Sequence, residues 1–267
     1  MNKYLSFFRI RFISGLQYRL AAYAGAVTQF AWGSMRILMF QAFYKANAAD
    51  FSMEFPQLSS YIWLQQAFLA LFATWFIDNE IFLSITSGNI AYELARPVDL
   101  YNMWFVKNLA NRLSRATLRC MPILIVAAFL PRPYGISLPV SPFAFFMFLI
   151  SLLLGLFVVI AFCMLIYIAT FYTLSPLGIR IVALSLTEFL MGAIIPLPFF
   201  PKRLQKIIQF TPFASMQNFP LRIYSGNIAG KEMLVNVLLQ IFWFIILLII
   251  GKFWMKRALK KVVIQGG

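Results

Sequence analysis

The chain has 267 residues, 62% hydrophobic and 12% charged, with 23 Lys+Arg against 8 Asp+Glu for a net charge of +15. Soluble domains carry about twice that share of charge, so this is not a water-soluble fold; it reads as an all-α integral membrane protein. No histidine is present, which excludes His-ligated metal centres and Ser-His or Cys-His nucleophiles, and no bound metal or cofactor is expected. The basic residues flank apolar stretches, where anionic lipid head groups account for them, so membrane lipid is an expected partner and nucleic acid is not.

Residues 1–19 predict an amphipathic helix lying in the membrane interface, with Leu5, Phe8, Phe12 and Leu16 on one face and Lys3, Ser6, Ser14 and Gln17 on another. The length of the apolar stretch behind it argues against a secretory signal peptide. Six transmembrane spans are expected, at about 20–43, 58–77, 108–130, 143–171, 178–195 and 233–253. Lys45, Asp50, Glu54 and Pro56 form the first polar loop, and Asp78, Asn79 and Glu80 stop the second span. A helix over Tyr101–Leu130 would be about 45 Å long against a hydrocarbon core of about 30 Å. The third span therefore begins below the membrane and enters it near Arg119. Arg112, Arg115 and Arg119 share one stripe, with Lys107, Asn108 and Asn111 nearby, and are expected to face solvent or head groups. Pro131, Pro133, Pro139 and Pro142 mark an outer turn, and Ser175-Pro176-Leu177-Gly178 turns the chain into a short fifth span. Cys120 and Cys163, in apolar sequence, read as small buried hydrophobes.

Before span six, Pro196, Pro198, Pro201, Pro212 and Pro220 break up the chain. Leu204, Ile207 and Ile208 lie opposite Lys202, Lys206 and Gln209, which predicts a hairpin half-inserted from the outer side. No soluble domain fits between the spans and no internal repeat is visible, so residues 1–267 form one membrane domain. With both termini cytoplasmic, fifteen basic residues lie inside and seven outside, Arg36 remaining within span one. This satisfies the positive-inside bias.

Asp78–Leu100 links spans two and three on the cytoplasmic side. Ile81, Ile85, Gly88 and Tyr92 recur at helical spacing, Gly88-Asn89 permits a turn, and Pro97 biases Arg96 away from the helical region. The segment therefore predicts two short helices with a kink between them. Their partly apolar face is covered by the membrane or by a groove on a partner.

Here the residues resemble a known family, the membrane subunit of type-two ABC exporters. Gly88-Asn89-Ile90-Ala91-Tyr92-Glu93-Leu94-Ala95-Arg96-Pro97-Val98 is similar to that family's Gly-x-Ile…Leu-x-Arg-Pro stretch. Pro196–Pro201 followed by Phe210-Thr211-Pro212-Phe213 is similar to its outer hairpin, and Gln265-Gly266-Gly267 to the end of one branch. The resemblance implies a permease subunit of the bacterial cell membrane, paired with a second, identical or related, subunit. It implies a cytoplasmic coupling helix that engages a separate nucleotide-binding ATPase through Ile81, Ile85, Gly88, Asn89, Glu93, Leu94, Arg96 and Pro97. ATP and Mg would be held by that partner, because Gly230-Lys231-Glu232 and Gly251-Lys252-Phe253 lack the rest of a phosphate-binding loop. The chain by itself is then not an enzyme.

Ionisable groups at membrane depth are costly and usually have a reason. Arg36 and Glu188 lie at similar distances from the outer ends of spans one and five. They are expected to pair within or across subunits, the alternative for Arg36 being to snorkel to the outer head groups, while Gln29 either joins the polar groups of the pathway or serves as a hydrogen bond between helices. A secondary transporter would need coupling-ion groups near midplane, and Glu188 is the only acidic residue within a span. An intramembrane enzyme would need to build a site from Asp78, Glu80, Glu93 and Asp99, whose spacing is irregular. A non-transporting scaffold or insertase component would also fit an arginine such as Arg36.

Overall fold

The computed structural model describes residues 2–47, 51–173 and 176–261, and these contain helices but no strand. Asp50, Ser175 and the Gln265–Gly267 terminus, used above, lie outside the described residues. Helix α1 (Asn2–Leu16) is followed by α2 (Arg19–Asn47), α3 (Phe55–Ala67) and the single-turn α4 (Leu69–Phe72). Two short helices, α5 (Asn79–Thr86) and α6 (Ile90–Leu94), precede the long α7 (Leu100–Phe129) and α8 (Pro142–Ala169). Helix α9 (Pro176–Leu190), α10 (Lys202–Ile208), α11 (Asn218–Tyr224) and α12 (Gly230–Leu259) complete the order.

Local chemistry sets several of these boundaries. Asp99 caps α7 by accepting from Asn102 N at 2.8 Å, and Ser141 caps α8 by accepting from Ala144 N at 3.1 Å. Pro142 occupies the first turn of α8, where a missing N–H costs nothing. Length and composition make α8 with the turn that follows (Pro142–Tyr172, mean hydropathy 3.1) and α12 (mean hydropathy 2.8) clear candidates to cross a membrane. Helix α8 is mostly buried and α12 mostly is not. The other expected spans fall on α2, α3–α4, α7 and α9. Large apolar side chains stand exposed along α2 (Val27, Trp32, Leu38) and α12 (Leu238, Phe242, Ile249), a surface that suits lipid rather than water.

Three expectations need correction. Span two is not one helix to Ile77, because α4 ends at Phe72 and Ala73 leaves the helical region at φ −57°, ψ 119°. Span five stops being helical at Leu190, and the chain turns at Gly192, whose φ of +78° favours glycine. Helix α1 keeps the expected faces only in part: Phe8, Phe12 and Leu16 are half-buried and Lys3, Ser6, Ser14 and Gln17 exposed, but Leu5 is 69% exposed, and the helix lies along the first half of α7 with Gly15 against Ser114. Gly15 permits this approach, since a Cβ there would sit 2.2 Å from Ser114 Oγ.

The hairpin before α12 is seated deeply. Helix α11 packs on α8 and α3 with Phe219, Leu221 and Ile223 buried. Gly155 of α8 admits the approaching chain, because a Cβ there would meet Met216 O at 2.1 Å. Gln240 of α12 ties the layers together: its amide donates to Ser151 O at 3.0 Å and Ser215 O at 2.9 Å and accepts from Ser151 Oγ at 2.8 Å. Buried polar groups between helices are satisfied here by one side chain reaching two neighbours.

Candidate functional site

The segment from Ala73 to Leu100 leaves the bundle and returns to it, and its exit is held by charge. An unwound helix end leaves carbonyls without donors. Arg112 of α7, 2% exposed, supplies them: its Nη1 donates to Leu71 O and Ala73 O, both at 2.9 Å, and its Nη2 to Phe76 O at 3.4 Å and Cys163 Sγ at 3.4 Å. Arg112 is therefore not on a solvated stripe. The planar guanidinium fork suits several acceptors at once in a way a point charge does not.

Two residues after Phe76, Asp78 organises the start of α5. Its Oδ1 caps the helix by accepting from Glu80 N at 2.9 Å, and its backbone N–H donates to Tyr167 Oη at 2.7 Å. Its Oδ2 pairs with Lys107 Nζ at 2.9 Å and accepts from Asn111 Nδ2 at 3.3 Å. Lys107 also reaches Glu80 Oε2 at 2.7 Å, and Arg11 lies 3.6 Å from the same oxygen. The Lys107 ammonium, by hydrogen bond and by charge, holds the Glu80 carboxyl below its usual range. Lys107, 7% exposed, is likewise an anchor rather than a solvated lysine.

On α5, Ile81 and Phe82 are buried, Phe82 against the Tyr167 ring at 5.1 Å between centroids, whereas Leu83 is 64% exposed. Gly88, at φ +76°, turns the chain into α6. Ile90 is buried and Tyr92 is 75% exposed. Glu93 accepts from Trp104 Nε1 at 2.6 Å; Lys3 Nζ donates to Pro97 O at 2.9 Å, and Asp99 N to Tyr4 Oη at 3.1 Å. The four carboxylates weighed for an intramembrane enzyme thus have structural tasks: Asp78 and Glu80 share Lys107, Glu93 accepts from Trp104, and Asp99 caps α7.

Of the residues expected to face a partner, Gly88, Asn89, Arg96 and Pro97 are exposed, Ile85 and Leu94 are half-buried, and Ile81 and Glu93 point inward to hold the segment down. Leu83 was missed. Its only signal is that it stands off the Ile81–Ile85 face while being apolar. Arg36 and Glu188 do not pair within the chain. Arg36 Nη1 donates to Gln65 Oε1 at 2.9 Å and Ala193 O at 2.8 Å, closing the turn after α9. Glu188 instead accepts from Thr74 N at 3.4 Å and Thr74 Oγ1 at 3.2 Å, beside the break in span two. Gln29, half-buried on α2, bonds to neither.

A family model described as ABC-2 family transporter protein matches residues 20–266, which takes in α2 from its second residue and every helix from α3 to α12. No curated protein matches the sequence. A match across nearly the whole length, on an all-helical chain with long apolar helices, identifies it: the chain is a membrane protein of the ABC-2 transporter family.

Proposed function

We propose that this chain forms one half of the translocation pathway of an ATP-driven exporter in a bacterial cell membrane. A second permease subunit, identical or related, completes the pathway. A separate ATPase subunit holds ATP and Mg and grips the α5–α6 segment from the cytoplasmic side. The observation that carries this reading is the construction of α5–α6: buried inner residues and ion pairs fix it to α7 and α1, while Leu83 and Tyr92 project outward without cover. Such exposed apolar side chains on short helices suit the groove of a partner protein. ATP-driven closure of two partners would then move two such segments together and switch the pathway between states. Export as the direction rests on the family resemblance.

The test is purification of the tagged chain from its native host in mild detergent, with Mg-dependent ATPase activity read in the eluate. The wild-type chain should bring such activity with it. The L83D/Y92A variant should lose it while keeping its helical circular dichroism and its place in the membrane fraction. Activity that stays with a folded L83D/Y92A chain refutes α5–α6 as the coupling segment, and a wild-type eluate without ATPase refutes the transporter reading itself.

A further inference from the structure

A second feature of α7 is not used by the coupling segment. A cavity of about 530 Å³ opens between the α1–α2 junction, the Phe76–Glu80 stretch and α7. Arg11, Arg112, Arg115 and Arg119 all line it, together with two carboxylates, Asp78 and Glu80. Those carboxylates are committed to Lys107, at 2.9 Å and 2.7 Å, and Arg11 already lies 3.6 Å from Glu80. Arg112 is occupied by the carbonyls of Leu71, Ala73 and Phe76.

Arg115 and Arg119 are different. Neither makes a hydrogen bond or ion pair with any described residue; both guanidinium groups lie over the Phe76 ring, 5.1 Å and 5.7 Å from its centroid. Arg119 Nε is fully buried without a partner, and so is Arg112 Nε beside it. The Arg119 head is tucked against Gly25 of α2, where a Cβ would come within 2.9 Å of its Cζ. Two cations four residues apart on one helix repel each other, and a buried N–H of a guanidinium is costly to leave unbonded. The species that relieves both is an anion carrying several acceptor oxygens.

We propose that this cleft binds a phosphate-class anionic group, seated by Arg115 and Arg119. The chemistry matches: guanidinium forks pair two N–H donors with two oxygens of a phosphate, and aromatic stacking on Phe76 holds the forks in plane. The volume lies within the about 300–1,000 Å³ usual for ligand pockets. Ser14, Tyr18 and Arg115 at its rim are exposed, so the cleft has a mouth. The group arrives either as the head of an anionic lipid or as a free phosphate. The site does not depend on the ATPase reading above, because it is built from this chain alone.

The test uses the full-length chain purified in detergent. Native mass spectrometry scores retention of phosphatidylglycerol against phosphatidylcholine, and thermal unfolding is followed with and without inorganic phosphate or pyrophosphate. Phosphatidylglycerol retained at least tenfold over phosphatidylcholine, and reduced to parity in R115Q/R119Q, supports the site with lipid as its source. Stabilisation by inorganic phosphate or pyrophosphate that is lost in the same variant, without lipid selectivity, supports it with a free anion. The K252Q/K256Q variant removes the same charge from exposed positions on α12 and should change neither readout. If R115Q/R119Q loses its helical signal, R115Q alone is used, since Arg115 is exposed and makes no hydrogen bond or ion pair with a described residue beyond lying over the Phe76 ring. The proposal is overturned if the wild-type chain shows neither lipid selectivity nor a phosphate response, if either persists in the variants, or if K252Q/K256Q abolishes it equally.

Discussion

Replacing Arg112 by Met keeps the length and apolar stem of the side chain and removes the donors that close the end of α4. Two bonds at 2.9 Å, to the carbonyls of Leu71 and Ala73, carry the effect; the contact with Phe76 O at 3.4 Å is weaker. A hydrogen bond to a charged group contributes about 1.5–3 kcal/mol, so the pair accounts for about 3–6 kcal/mol. Met spares the desolvation of the guanidinium, which offsets part of this, but Leu71 O loses its donor and Ala73 O keeps only the Phe76 N–H at 3.3 Å. We expect a net loss of about 3 kcal/mol, or a fall in Tm of about 6–12 °C at ~2–4 °C per kcal/mol for a chain of this size. Differential scanning fluorimetry on the detergent-purified chain reads it through its 6 tryptophans. R112K should fall between, because one ammonium cannot meet the fork's acceptors together. R115M, one position along the same stripe but exposed and unbonded, should change stability by about 0.5 kcal/mol or less. If R112M and R115M melt within about 2 °C of each other and of the wild type, the anchor assignment is wrong.

Three further outcomes follow from other contacts. G155A should lower stability by about 1–3 kcal/mol, because the added methyl meets Met216 O at 2.1 Å, whereas G178A in α9, with nothing within 4 Å, should gain up to about 1 kcal/mol of helix propensity; equal thermal shifts would contradict the packing. Q240L strands three polar groups, on Ser151 and Ser215, and should cost about 1–2 kcal/mol in thermal or SDS unfolding. Glu80 is more acidic folded than unfolded, so its contribution is complete above the ordinary carboxylate range and fades as pH falls through the lowered folded value. Melting should therefore weaken below about pH 4, and K107M should flatten that dependence; an unchanged acid slope in K107M would remove Lys107 as its cause.

The α5–α6 segment is legible in sequence because its signals are local. Gly88 marks the one turn with a positive φ there, Pro97 ends the second helix, and Asp78 and Asp99 are caps in the right places. The anchor is not legible. Arg112 bonds to backbone carbonyls of Leu71, Ala73 and Phe76, and a carbonyl leaves no trace in residue identity. The break it serves falls in Ala70–Ile77, an apolar run with no glycine or proline, so hydropathy carries it on as one span. Lys107 and Arg112 thus look like a wet stripe until the carboxylate and the unwound end facing them are in view. The Arg36–Glu188 expectation failed within the chain for a related reason. Matching depth brought both toward the same region, but each found a nearer acceptor or donor, on Gln65 and Ala193 or on Thr74. For α1, Gly15 sets the closest approach to α7, and an apolar-face count gives a glycine no weight.

The non-helical stretch Ala73–Ile77 also decides where force would travel. A continuous rod would pass any tug on α5 straight up span two, but five residues of unwound backbone are slack under tension and torque. The stiff route runs sideways instead, through Lys107, Asn111 and Arg112 on one flank and Glu93–Trp104 on the other, all into α7. Pulling on the segment would first tilt α7 and, through Tyr4 and Lys3, drag α1 with it.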